Sequence, residues 1–76
     1  MMKLREVLKA LYQLRAFDLV TFHDFGMPPV GYLLGDLMKY VDTDEPVMDT
    51  TVERFETRNN SVDLYGFFKD YVKEEH

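Results

Sequence analysis

Seventy-six residues, 46% of them apolar and including six Phe and five Tyr, allow one packed domain over 1–76 and argue against intrinsic disorder. The absence of cysteine excludes a disulfide framework and any thiolate metal site, and no apolar run approaches the roughly 20 residues that cross a bilayer as a helix. The net charge of −5 is unevenly placed, with +3 on residues 1–16 and −8 on residues 17–76, so the acidic body repels nucleic acid and suits a basic protein surface.

Residues 3–14, KLREVLKALYQL, have a helical period. Leu4, Val7, Leu8, Leu11 and Leu14 fall in one arc of about 120°, with Lys3, Arg5, Glu6, Lys9 and Gln13 outside it. A basic amphipathic helix can lie on an acidic membrane. Here strand-like segments follow and need a cover, so the stripe is expected to pack on a sheet. Charges stand too early, and no long apolar stretch follows them, for a secretory signal. A soluble, cytoplasmic chain is therefore expected.

Residues 17–25, FDLVTFHDF, are rich in β-branched and aromatic types. Gly26-Met27-Pro28-Pro29 breaks the chain, since Gly26 can adopt φ > 0 and two prolines cannot continue a ladder. Val30-Gly31-Tyr32-Leu33-Leu34 resumes an extended pattern, and the two segments predict an antiparallel hairpin. Residues 36–41, DLMKYV, fit two patterns: a short helix capped by Asp36, or a continued strand. Residues 42–50, DTDEPVMDT, read as an exposed acidic connection broken by Pro46.

TTVERFET and SVDLYGFF flank Arg58-Asn59-Asn60-Ser61, and Asn59-Asn60 suits a two-residue turn. That register sets Thr57 opposite Val62, Phe55 opposite Leu64 and Val52 opposite Phe67. Phe55, Val62, Leu64 and Phe68 then share one face, and Arg54, Glu56, Asp63 and Tyr65 the other. Glu56 opposite Asp63 is an unfavourable like-charge pair in this arrangement. Residues 67–75, FFKDYVKEE, carry a helical grouping of Phe67, Phe68, Tyr71 and Val72.

The chemistry-bearing residues are few. His23-Asp24 is a pair found in metal-dependent phosphohydrolases, but the second histidine is the distant His76. Neighbours on a strand also point to opposite faces, so the pair cannot share a metal. His23 shows no orienting acid on its own face, and Ser61, the one serine, sits in a turn. Asp42-Thr43-Asp44-Glu45 lacks the glycine of a calcium loop, because Val47 stands at the sixth position. Tyr65-Gly66-Phe67-Phe68 lacks the basic residue of an RNA-binding aromatic strand. No enzyme, no metal and no cofactor is expected.

KLREVLKAL, then FDLVTFHDFG, then VGYLLGDL resembles small orphan proteins of phages and prophages of Gram-positive bacteria. The resemblance covers the first half of the chain; the Pro28-Pro29 turn and the aromatic second half depart from it, and no functional residue is carried over. It implies a compact protein of the kind, anti-CRISPR proteins among them, that occupies a basic host surface meant for nucleic acid.

The fold expected is therefore α+β: an N-terminal amphipathic helix on an antiparallel sheet of about four strands in two hairpins, with short extra helices. The function expected is a non-catalytic protein-binding module, in its sharpest form a phage-type inhibitor of a host nucleic-acid enzyme. Its candidate contact residues are Asp42, Asp44, Glu45, Asp49, Arg54, Glu56, Asp63 and Tyr65. Its partner would be a protein with a basic surface, not nucleic acid directly and not a membrane. The rival class is an assembly protein forming a small homo-oligomer, such as a homodimer.

Overall fold

The computed structural model describes residues 2–68. Helix α1 (Leu4–Leu14) forms on the stripe expected, and Leu4, Val7, Leu8 and Leu11 are buried against the sheet. Leu14, expected in the same buried arc, is instead 66% exposed. The helix stops one residue later at Arg15, whose left-handed φ of 54° turns the chain away; its N–H donates to the Tyr12 carbonyl at 3.3 Å. The last turn of α1 thus overhangs the core.

Strand β1 (Leu19–Asp24) and strand β2 (Val30–Leu33) form the first hairpin, in antiparallel register from Leu19 opposite Leu33 to Phe22 opposite Val30. Gly26 takes φ 80° in the turn, a value few other residues adopt without strain. A short helix α2 (Leu34–Leu37) follows at once and continues into a 3₁₀ turn, Met38–Tyr40. Of the two patterns at 36–41, the helical one is thus realised, but Leu33 rather than Asp36 stands at the N-cap, and no side chain caps it. Leu34, Leu37 and Val41 are buried.

The acidic connection departs from expectation. Pro46–Asp49 is a 3₁₀ turn that places Val47 and Met48 fully in the core, so the segment contributes to the core instead of only bridging strands. Two apolar residues side by side in a tight turn carry no helix or strand period, which is why the sequence pattern hides them.

Strand β3 (Val52–Arg58) and strand β4 (Ser61–Gly66) form the second hairpin. Thr57 faces Val62 and Phe55 faces Leu64, as expected, around Asn59-Asn60, with Asn60 at φ 65°. Val52, however, faces Gly66 and not Phe67, because a bulge between Val52 and Arg54 shifts the register by one. The bulge brings the Thr51 carbonyl so close to Gly66 that a Cβ there would lie 2.9 Å from it, so only glycine fits.

The sheet order is β2-β1-β4-β3, and β1 runs parallel to β4. The sheet is therefore mixed and not purely antiparallel. Both hairpins are antiparallel, but residues 34–51 return over the helix side of the sheet before β3 starts. A connection of that length permits the crossover that parallel neighbours need. The two inner strands then carry the core: Val20 and Phe22 on β1, Val62 and Leu64 on β4, all fully buried under α1. Phe22 stacks on Phe68 with centroids 4.7 Å apart and tilts against Tyr32 at 5.3 Å. The helical grouping expected at 67–75 lies, from residue 69 on, outside the described residues.

Candidate functional site

The sheet has one covered face and one outer face. On the outer face the parallel register sets Thr21 beside Asp63 and His23 beside Tyr65. Asp63 is 6% exposed; its Oδ1 lies 3.1 Å from His23 Nε2. Its Oδ2 lies 2.9 Å from Arg58 Nε, an ion pair without the alignment of a hydrogen bond. His23 stacks on the Tyr65 ring with centroids 4.5 Å apart, and the Arg54 guanidinium lies 4.2 Å over that ring. The Tyr65 hydroxyl donates to Glu56 Oε2 at 3.5 Å, and Arg54 Nη1 lies 3.7 Å from Glu56 Oε1. Arg54, Glu56, Asp63 and Tyr65 are therefore brought together as their shared face implied. The like-charge pair of Glu56 and Asp63 is relieved because each carboxylate has its own cationic neighbour.

His23 belongs to this cluster, although the sequence pattern left it out. No acid was visible on the histidine's face, whereas Asp63 stands there from 40 residues away. Only the parallel pairing of β1 with β4 makes them neighbours, and no local pattern signals that pairing. The aromatic end of the face was missed as well. Phe25, 54% exposed, tilts against Phe67, 65% exposed, with centroids 4.7 Å apart. Leu19 and Leu33, directly opposed, are 40% and 56% exposed at the other end of β1.

The other candidates, Asp42, Asp44, Glu45 and Asp49, lie on the helix side of the molecule and do not join the first group. Two of them are already engaged by α1 and the residue before it. Lys9 Nζ lies 2.9 Å from Asp42 Oδ1, and Arg5 Nη2 and Lys3 Nζ lie 3.1 and 3.8 Å from Asp49 Oδ1. Arg5 also donates through Nη1 to the Val41 carbonyl at 2.9 Å and through Nη2 to the Thr43 carbonyl at 3.3 Å. The basic side of α1 thus holds the acidic connection in place. Among the described residues, Asp44 and Glu45 form no ion pair.

The His23–Asp63 contact places a carboxylate beside an imidazole nitrogen, half of a general-base arrangement. No Cys or Ser stands at the remaining ring nitrogen's disposal, as Ser61 lies in the register position beside Leu19. Among the described residues no group of three or more His, Cys, Asp or Glu is placed to hold a metal ion. No helix among them is long and apolar enough to cross a membrane. No family model, curated protein or solved structure matches this chain.

Proposed function

We propose that the protein is a non-catalytic protein-binding module whose contact surface is the outer face of the sheet. The observation that carries this reading is the ordered aromatic and charged array there: Arg54 on Tyr65, Tyr65 on His23, and Phe25 on Phe67, on a face that no described element covers. Tyr and Arg are the residues that concentrate binding energy at protein interfaces. Each ring packs on a neighbour, and side chains already positioned before binding lose less entropy on it.

The net charge of −5 supports a partner with a basic surface. Asp44 and Glu45, without counter-charges among the described residues, add to the field that such a partner meets. Together with the resemblance of the first half to small phage proteins, the charge favours an inhibitor seated on a nucleic-acid-binding surface of a host enzyme, acting in the cytoplasm.

The test is affinity capture from a Gram-positive bacterial lysate with wild-type, Tyr65→Ala and Phe67→Ser baits side by side, each checked for folding by circular dichroism. A protein retained by wild type, weakened by both variants and released at high salt is the expected result. Equal retention by all three baits, or no protein specific to wild type, would overturn the outer face as a contact surface.

A further inference from the structure

Strand β3 forms one edge of the sheet. Its outer edge is closed at the start, where the Val52 N–H donates to the Met2 carbonyl at 3.0 Å and Lys3 bridges Thr51. It ends at the Asn59-Asn60 turn. Between these limits, at residues 53–58, the described residues leave the edge without a neighbouring strand. An exposed edge is a template for another strand unless something blunts it; β3 has no proline, and its bulge is confined to the start of the strand, between Val52 and Arg54. Beside it lies an apolar groove of about 210 Å³, lined by Met2, Val7, Leu11, Leu14, Phe17 and Phe55. Phe55 is 58% exposed although it faces the helix side, because it stands across this groove from Val7, Leu11 and Leu14 of α1.

We propose that the partner of this edge is a second copy of the same chain, paired antiparallel through β3 about a two-fold axis at Phe55. Directly opposed residues of an antiparallel pair share a face, so such an axis must pass through one residue and not between two. Two registers of five residues fit the open stretch, centred on Phe55 or on Glu56. Centring on Glu56 sets Glu56 against its own copy and Arg54 against Arg58 of the second copy, like charges throughout. Centring on Phe55 sets Arg54 of each copy against Glu56 of the other, twice, and Phe55 against Phe55. Opposite charges facing each other across strands attract and like charges repel, so the sequence ERFET selects the Phe55 register.

The consequence is one continuous sheet, with both copies of α1 on the same side and the two grooves meeting over the paired Phe55 rings. The apolar surface of Leu14, Phe17 and Phe55, open in one copy, then faces its equivalent. This inference stands apart from the outer-face contact proposed above: purified protein alone tests it, and its failure leaves the capture experiment untouched.

Sedimentation velocity of the purified chain over micromolar to millimolar concentration is expected to show a monomer–dimer equilibrium. Arg54→Glu and Glu56→Arg are each expected to weaken the dimer about tenfold or more, since each replaces two attractive cross-strand pairs by two repulsive ones. The double variant R54E/E56R restores the alternation and is expected to dimerise like wild type. A mixture of the two single variants is expected to form a heterodimer, because the first is acidic at both positions, the second is basic at both, and each acid would then face a base. A wild-type chain that stays monomeric throughout, or a dimer indifferent to the single exchanges, would overturn the proposal. Failure of the double variant and of the mixture to recover dimer, with circular dichroism unchanged, would overturn the Phe55 register. A monomer that captures a foreign strand at this edge counts against a second copy as its occupant.

Discussion

On the helix-covered face of the sheet, Val20, Phe22, Val62 and Leu64 are fully buried; one residue along the same strands, Thr21, His23, Asp63 and Tyr65 line the outer face. The covered face is held by apolar area removed from water, which is non-directional and large in sum. The outer face is held by directional contacts between groups that, Asp63 apart, are at least partly exposed, and such contacts are small individually. Stability thus resides chiefly on one face, and the other is free to present aromatic and charged groups without endangering the fold.

The largest test of this contrast compares two phenylalanines on β1 and in the turn after it. Phe22 is fully buried between Phe68 and Tyr32, whereas Phe25 is 54% exposed against Phe67. Phe22→Ala should cost about 3–5 kcal/mol, enough to remove much of the stability of a domain this small. Phe25→Ala should cost under about 1 kcal/mol, because most of its ring already meets water. Urea unfolding of the two variants checks this. Equal losses would mean that the outer face is part of the core's cooperative unit.

An intermediate effect is expected at Asp63, among the described residues the one buried carboxylate. Asp63→Asn keeps the shape but removes the charge that His23 and Arg58 share, and should cost about 1–2 kcal/mol near neutral pH. His23→Gln and the double variant complete a cycle. Losses that fall short of additivity show that the two side chains act together through the 3.1 Å contact. Strict additivity would mean that Asp63 is held by Arg58 alone.

What the sequence made legible follows the same division. Local periodicity revealed α1, both hairpins and the alternation that puts Arg54, Glu56, Asp63 and Tyr65 together, because each depends on residues close in the chain. The parallel join of β1 to β4 was not legible, since no local pattern encodes which strands of two hairpins meet. With it went the His23–Asp63 pair and the meeting of Phe25 with Phe67. The bulge at Val52 was hidden too, although Gly66 is its trace: a glycine in a strand marks a close backbone approach. The burial of Val47 and Met48 was obscured by the acidic residues around them, whose charge suggested a loop lying wholly in solvent.

The smallest effect on stability, and the sharpest on association, is expected from that acidic segment. Asp42, Asp44 and Glu45 lie beside the part that Arg5 anchors through Val41, Thr43 and Asp49. Changing them together to Asn, Asn and Gln removes three charges and leaves that anchor intact. One ion pair is lost, Lys9 with Asp42, and it is exposed on both sides, where such pairs contribute little. Each exchange should therefore shift stability by no more than about 0.5 kcal/mol in urea. Association with a basic partner should respond differently, because exposed charges act at a distance on the rate of encounter. Stopped-flow measurement with the captured partner at two salt concentrations should show slower association and a flatter salt dependence in the triple variant, with dissociation little changed. An unchanged rate and salt slope would confine the segment to its role under α1. The outer face would then carry recognition without electrostatic help from the helix side.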